Sequence, residues 1–92
     1  MTRERTFQSK VIKWAKSEGY DCIKIPSSVQ FGIPDLQVWY KQKQIRIETK
    51  TDAGRVRDSQ RGWKERHPNE TVLYTRPSNF EEHKLIIKEI LR

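Results

Sequence analysis

The sequence predicts a small α/β domain in which a mixed β-sheet is flanked by helices, in the order α-β-β-β-α-β-α. Two observations support this prediction. Apolar residues recur at helical spacing near both ends of the chain, and short runs typical of strands lie between them. A length of 92 residues suits one domain, so residues 1–92 are predicted to form a single unit.

The first helix is predicted over residues 3–17, where apolar residues recur at spacings of three and four. Glu4, Gln8 and Val11 lie along one side of this helix because their offsets are four and three. Glu4 has two interpretations. It is either a first-turn acid that favours the helix dipole or a carboxylate directed at a functional site.

The first strand is predicted over residues 20–25. Strand alternation places Tyr20 and Cys22 on one face, and Ile23 and Ile25 on a more apolar face. A polar loop punctuated by proline and glycine follows this strand.

Strands over residues 36–40 and 45–50 are predicted to form an antiparallel hairpin. The intervening residues 41–44 contain no Gly or Asn for a tight primed turn, and their number suits a four-residue loop. In such a hairpin the start of the first strand faces the end of the second, so Asp35 is expected near residues 48–50.

A basic helix is predicted over residues 58–66, ending before Pro68, and a short strand over residues 71–74. Residues 78–81 fit a capping box that begins a last helix. The apolar face of this last helix is predicted to contain Phe80, Ile86, Ile87, Ile90 and Leu91.

The composition favours a polyanionic partner. A net charge of +7 and a pI near 9.8 are typical of a nucleic-acid-binding domain. No apolar run approaches the roughly 20 residues of a membrane span, so no membrane association and a cytoplasmic location are expected. Cys22 is the only cysteine, which excludes an intrachain disulfide and a thiolate zinc site. His67 and His83 have no partners at metal-ligand spacing, so any metal would be held by oxygen.

Two carboxylates and a lysine stand at the ends of the predicted hairpin strands. Asp35 ends the segment Gly-Ile-Pro-Asp, and Glu48 and Lys50 flank Thr49 in Glu-Thr-Lys. A magnesium-type ion prefers oxygen ligands and keeps several waters, so two carboxylates and the Thr49 backbone carbonyl would be enough protein ligands. Such an ion assists phosphodiester hydrolysis, and Lys50 could position the water or stabilise charge on the phosphate. The alternative is an ordinary surface ion pair, which contributes about 0 to 1 kcal/mol and implies no function.

Basic residues occur in two groups near these acids. Contacts from such groups to phosphates give salt-dependent affinity with little sequence reading. Arg46 shares a strand face with Glu48 and Lys50, so it is the best single candidate for a phosphate contact. Trp63 is expected to be a core or interface residue rather than a base-stacking one. The candidate phosphate contacts are Lys41, Lys43 and Arg46 around the hairpin and Arg55, Arg57, Arg61, Lys64 and Arg66 beyond it.

The chain resembles the PD-(D/E)xK nuclease superfamily, in particular the compact VRR-NUC domains and the related archaeal Holliday-junction resolvases. The resemblance rests on Gly-Ile-Pro-Asp ending at Asp35, on Glu-Thr-Lys beginning at Glu48, and on an early-helix glutamate matched by Glu4. A Ser-Gln pair after the second motif is matched by Ser59 and Gln60. The resemblance covers nearly the whole chain. One departure is the residue after Glu48, which is threonine where the family more often has an apolar residue.

The resemblance implies a restriction-endonuclease-like core and a Mg²⁺-dependent endodeoxyribonuclease in which Mn²⁺ substitutes. Asp35 and Glu48 would be metal ligands, with Glu4 beside the metal directly or through water. Lys50 would be the catalytic base or transition-state stabiliser, and Gln60 would complete the site from a helix. The implied substrate is duplex or branched DNA, including flaps and four-way junctions, and no small-molecule cofactor is needed. Such proteins act as homodimers in bacterial or phage-infected cells.

Two other functions stay open. The chain could be a non-catalytic basic module for DNA binding or assembly, in which the acids pair with the lysines. It could also be a nuclease that acts on RNA.

Overall fold

A computed structural model describes the backbone of residues 3–92 and the side chains of residues 5–92. Four strands form one mixed sheet in the order β1-β2-β3-β4. The neighbours β1 and β2, and β2 and β3, are antiparallel, whereas β3 and β4 are parallel. The strands are β1 (Asp21–Lys24), β2 (Leu36–Tyr40), β3 (Lys43–Thr49) and β4 (Val72–Thr75).

Three helices accompany the sheet: α1 (Arg3–Ser17), α2 (Asp58–Arg66) and α3 (Phe80–Leu91). The predicted small α/β class and the predicted order of elements are confirmed, and α1 and α2 have the predicted bounds. Within residues 3–92, no helix combines the length and apolarity needed to cross a membrane.

The hydrophobic core fills one face of the sheet. Ile45 and Ile47 of β3 are fully buried there, together with Val11 of α1 and Ile87 of α3. Full burial of such a side chain stabilises the fold by about 1.5–3 kcal/mol. Because successive strand residues point to opposite faces, Arg46 and Glu48 of β3 lie on the other face, where they contact Trp63 and Gln60 of α2. The elements therefore separate a packed core on one side from polar side chains beneath α2 on the other.

The β2–β3 hairpin is tighter than predicted. Tyr40 pairs with Lys43, so the turn consists of Lys41 and Gln42 and the predicted four-residue loop is wrong. Lys41 adopts a left-handed backbone conformation with φ +57°. That conformation costs a residue with a Cβ about 1 to 2 kcal/mol, and the strand pairing that extends to Lys43 offsets it.

In β1, the face that was predicted to be the less apolar one points into the core. Cys22 pairs with Val38, and both are buried, whereas Ile23 is 47% exposed. The register against β2 decides the orientation, because Val38 points into the core. Tyr20 and Ile25 lie just outside the strand.

The C-terminal elements differ from the prediction in detail. β4 begins and ends one residue later than predicted, and a 3₁₀ turn, Pro77–Asn79, precedes α3. The predicted capping role of Ser78 is wrong, because the Ser78 N–H donates to Asp52 Oδ1 at 2.9 Å while the Asn79 Oδ1 accepts the Arg76 N–H at 2.7 Å. Ile86 was expected on the apolar face of α3 but is 37% exposed.

Candidate active site

The predicted acids and lysine meet at one end of the sheet. Asp35 directly precedes β2, Glu48 is the penultimate residue of β3, and Lys50 directly follows β3. The Asp35 N–H donates to Glu48 Oε1 at 3.2 Å, and Lys50 Nζ lies 3.6 Å from Glu48 Oε2. The antiparallel register pairs Leu36 with Ile47 and so places the residues before and after this pair side by side. The convergence predicted from the hairpin is therefore confirmed.

Glu48 is buried in this cluster. It is 3% exposed, and its Oε2 accepts a hydrogen bond from Gln60 Nε2 at 2.8 Å. Burial, followed by the negative charge of Asp35, raises the pKa of Glu48 to about 7, and the Lys50 ammonium acts in the opposite direction. The fold therefore holds a carboxylate where its ionised form is disfavoured.

This raised pKa predicts a pH-dependent stability in buffer that contains a metal chelator. Between the ordinary Glu pKa of 4.5 and about 7, folded Glu48 keeps a proton that the unfolded chain releases, so stability falls as pH rises through this window. We expect wild type to lose about 1–3 kcal/mol of stability between pH 5 and pH 8 and Glu48→Gln to remove this fall, because the amide cannot ionise.

The measurement is urea denaturation of both proteins at pH 5 and pH 8. Glu65→Gln, which makes the same change at an exposed position of α2, is the matched control and should leave the pH dependence as it is in wild type. If the stability of Glu48→Gln falls with pH as steeply as that of wild type, the raised pKa of Glu48 is contradicted.

Asp35 is oriented by a chain of hydrogen bonds that reaches helix α1. Its Oδ2 accepts from Thr49 Oγ1 at 3.0 Å and from the Thr49 N–H at 3.3 Å. Gln8 Nε2 donates to Thr49 Oγ1 at 3.1 Å, and both Gln8 and Thr49 are buried. The threonine that departs from the resembled family thus has a polar role, because its hydroxyl links the carboxylate to α1.

Gln8 is a site residue that the sequence did not single out. The available signal was its helical offset of four from Glu4, which places the two on one side of α1. Glu4 lies in the first turn of α1, and its side chain is outside the described residues.

Gln60 lies where the resemblance suggested, on the first turns of α2 and against the acids. Its Oε1 accepts the Arg57 N–H at 2.8 Å while its Nε2 donates to Glu48. With one end held by a backbone donor, the amide can present only its NH₂ group to the carboxylate. Gln60 therefore fixes one oxygen of Glu48 relative to the start of α2.

The approach of α2 to the site depends on Gly32. Gly32 has φ +83°, and a Cβ built on it would overlap the Ser59 carbonyl oxygen and lie 2.6 Å from the Ser59 carbonyl carbon. Only glycine fits here, because it supplies both the left-handed conformation and the missing volume. The glycine that begins the Gly-Ile-Pro-Asp segment thus lets α2 bring Gln60 onto Glu48.

A cleft of about 380 Å³ opens in front of these residues. Its walls come from the β1–β2 loop, the ends of β2 and β3, and the start of α2. A cleft of this size admits a phosphodiester group with its neighbouring atoms. The lining includes Phe31, Asp35, Glu48, Lys50, Arg57 and Gln60.

The donor set fits a hard divalent cation. Among the side chains described, no three or more of His, Cys, Asp and Glu come together, so Asp35 and Glu48 form a pair rather than a larger acidic cluster. Mg²⁺ is commonly bound by one or two carboxylates and retains several waters. The repulsion that helps to raise the Glu48 pKa is what a cation between two carboxylates would offset.

The predicted basic residues are distributed unevenly around the cleft. Arg57 is exposed and lines it, and Arg55 is exposed in the loop before α2. Lys41 and Lys43 lie at the β2–β3 turn, which the length of β3 separates from the acids by roughly 20 Å. The structure therefore does not bring the hairpin lysines to the site.

Several other basic residues that were predicted to contact phosphates bind other groups of the protein. Arg46 lies outside the cleft lining, 5.4 Å from the Trp63 ring and with its Nε 3.6 Å from Glu70 Oε2. Trp63 is 2% exposed, which confirms it as a packing residue. The remaining three bind nearby groups: Arg61 pairs with Asp58, Lys64 Nζ donates to the carbonyls of Pro68 and Glu70, and Arg66 donates to the Phe31 carbonyl.

No family model, curated protein or solved structure matched this chain in the comparisons.

Proposed function

We propose that the chain is a divalent-metal-dependent endonuclease that hydrolyses DNA phosphodiester bonds. The observation that carries the proposal is the meeting of Asp35, Glu48 and Lys50 in one cleft, with Glu48 buried and its pKa raised. A buried acid with a strongly perturbed pKa in a cleft is a candidate for a functional site. A net charge of +7 supports a nucleic-acid substrate.

Asp35 and Glu48 would hold Mg²⁺, with Mn²⁺ as a substitute. The Thr49 carbonyl is proposed as a third ligand, and Glu4 is proposed to act directly or through water. When bound, the cation polarises a phosphoryl oxygen and makes a bound water more acidic. The hydrogen bonds from Thr49 to Asp35 and from Gln60 to Glu48 hold both carboxylates in place, which reduces the reorganisation needed during the reaction.

Lys50 acts on the reacting groups rather than on the cation. Its Nζ lies 3.6 Å from Glu48 Oε2 in the wall of the cleft. From there the amine either orients the attacking water, as the base, or donates to a phosphate oxygen on which negative charge develops. Arg57, exposed at the rim, is placed to contact a neighbouring phosphate.

We also propose that the chain belongs to the PD-(D/E)xK superfamily and has a restriction-endonuclease-like core, with VRR-NUC domains as its relatives. An antiparallel hairpin that carries the acids, followed by a helix and a parallel strand, supports it. We propose selection by DNA structure, such as branches, flaps or four-way junctions, because no element within residues 3–92 resembles a base-reading helix. A homodimer in the cytoplasm of a bacterial or phage-infected cell would place two sites on one DNA molecule.

The experiment is a cleavage panel of linear, flapped and four-way-junction DNA, with RNA of the same sequences. Each substrate is incubated with Mg²⁺, with Mn²⁺ or with chelator. We expect metal-dependent cleavage that Lys50→Ala reduces by about 10²-fold to 10⁴-fold, the usual range for a general acid or base. Lys10→Ala, at an exposed position of α1, is the control. Equal rates with Lys50→Ala and wild type, or cleavage unaffected by chelator, would contradict the proposal, and cleavage of RNA alone would change the substrate.

A second candidate is a non-catalytic DNA-binding or assembly module. It is favoured by the partners that the acids already have, since Asp35 Oδ2 and both oxygens of Glu48 accept hydrogen bonds within the protein. Manganese paramagnetic resonance in the presence of uncleavable phosphorothioate DNA separates the two. Mn²⁺ that is bound by wild type and not by Asp35→Asn supports the nuclease. DNA binding by wild type with no bound Mn²⁺ supports the module.

A further inference from the structure

The loop between β1 and β2 holds a large aromatic ring in solvent. Phe31 is 80% exposed, yet it lines the same cleft as Asp35, Glu48 and Lys50. A ring of this size contributes substantially to stability when it is buried. At position 31 that contribution is forgone, and the ring is presented at the mouth of the proposed active site.

The backbone around Phe31 is held against α2. The Gln30 Oε1 accepts a hydrogen bond from the buried Trp63 Nε1 at 2.6 Å, and Gly32 packs directly on the Ser59 backbone. The Phe31 carbonyl itself accepts from Arg66 at 3.5 Å. Both neighbours of Phe31 are therefore anchored, which fixes the backbone that carries the ring relative to the acids.

The surroundings of the ring suit a nucleotide. Lys50 and Arg57 supply positive charge in the same cleft, and the ring supplies an apolar face. Proteins that bind single-stranded nucleic acid combine these two features, because bases stack on aromatic rings while cations contact the phosphates. A fully paired duplex keeps its bases stacked on one another and offers this ring no free base.

We infer that Phe31 stacks on an unpaired base beside the scissile phosphate, so that the substrate class is DNA with an unpaired nucleotide at the cleavage position. A flap or the open centre of a branch meets this requirement. The inference rests on the proposed function and deepens it by naming the residue that selects the substrate. Phe31 is a specificity residue, since it contacts the base rather than the reacting atoms.

The test measures binding and cleavage separately. Fluorescein-labelled flap DNA and a blunt duplex of equal length are titrated at one fixed salt concentration, with chelator present, against wild type, Phe31→Ala, Phe31→Leu and Phe31→Trp. We expect Phe31→Ala to weaken flap binding by roughly 5-fold to 100-fold and blunt-duplex binding by less than about 2-fold. Phe31→Trp should bind like wild type because it keeps an aromatic ring. Phe31→Leu should resemble Phe31→Ala because leucine, although it keeps apolar volume, has no π-face on which a base can stack.

Leu85→Ala is the matched control, because Leu85 is 69% exposed on α3 and does not line the cleft. It should bind both DNAs like wild type. Thermal unfolding and sedimentation of each variant complete the comparison. If Phe31→Ala loses flap binding while its melting temperature and oligomeric state stay those of wild type, the ring acts in DNA binding. A dimer that dissociates on Phe31→Ala overturns the inference and assigns the ring to a protein interface.

The results separate this inference from the proposed function. If wild type cleaves DNA and Phe31→Ala binds flap and duplex as wild type does, the inference is overturned and the nuclease proposal stands. If the flap-specific loss occurs but no metal-dependent cleavage is found, base stacking is supported and the nuclease proposal fails. Absence of any DNA binding by wild type overturns both.

Discussion

Asp35→Asn is expected to reduce DNA cleavage by about a thousandfold or more while DNA affinity changes by less than about threefold. A divalent cation supplies several kcal/mol of transition-state stabilisation, and each 1.4 kcal/mol corresponds to a factor of ten in rate. Replacing one carboxylate oxygen by an NH₂ group removes a charged ligand. The positive charges that supply most of the DNA affinity are unaffected.

The substitution leaves the fold in place. Asparagine keeps an acceptor oxygen for the Thr49 hydroxyl and N–H, which both donate to Asp35 Oδ2. Asp58→Asn makes the same chemical change at a side chain that is 97% exposed, so it should cleave within about twofold of wild type. Single-turnover cleavage and fluorescence anisotropy give the two values. Substantial cleavage by Asp35→Asn would show that the reaction does not require Asp35 as a metal ligand.

Gly32→Ala is expected to destabilise the fold by about 2–4 kcal/mol and to lower cleavage at least tenfold. The left-handed conformation costs alanine about 1 to 2 kcal/mol, and the overlap with the Ser59 backbone adds the cost of overpacking. Relief of that overlap moves α2 and withdraws Gln60 from Glu48. Loss of a residue that orients a ligand typically reduces metal affinity or activity 10-fold to 100-fold.

Gly19→Ala separates backbone conformation from overlap. Gly19 has φ +87°, close to the value at Gly32, but a Cβ there meets no atom within 4 Å. Its cost should stay at about 1 to 2 kcal/mol, from the backbone conformation alone, with cleavage unchanged. Urea denaturation measures the stabilities of both variants. Similar stability losses at the two glycines would show that the approach of α2 does not depend on position 32.

The sequence predicted the convergence at the site because that convergence depends on local rules. Strand alternation and hairpin pairing alone bring Asp35 to Glu48, and they required no knowledge of distant packing. The bounds of α1 and α2 followed in the same way from helical periodicity and a following glycine or proline. The orientation of β1 did not follow, because its register against β2 places Cys22 rather than Ile23 toward the core.

Contacts between distant elements could not be derived from spacing. The hydrogen bond from Gln8 to Thr49 joins residues 41 positions apart, and the packing of Gly32 on Ser59 brings a loop to a helix. Arg46 shares a strand face with Glu48 as predicted, but packing on Trp63 keeps it out of the cleft. The first of these contacts joins α1 to β3, and the other two arise where α2 lies over the sheet.

Metal-dependent hydrolysis by the acid pair is tested most directly by one side-by-side reaction. Wild type and Asp35→Asn, purified in the same way to control for contaminating nucleases, are each placed in excess over flap DNA with Mg²⁺ or with chelator. We predict cleavage by wild type with Mg²⁺ and background in the other three reactions. Equal cleavage by the two proteins, or cleavage by wild type in chelator, would contradict a metal site at Asp35 and Glu48.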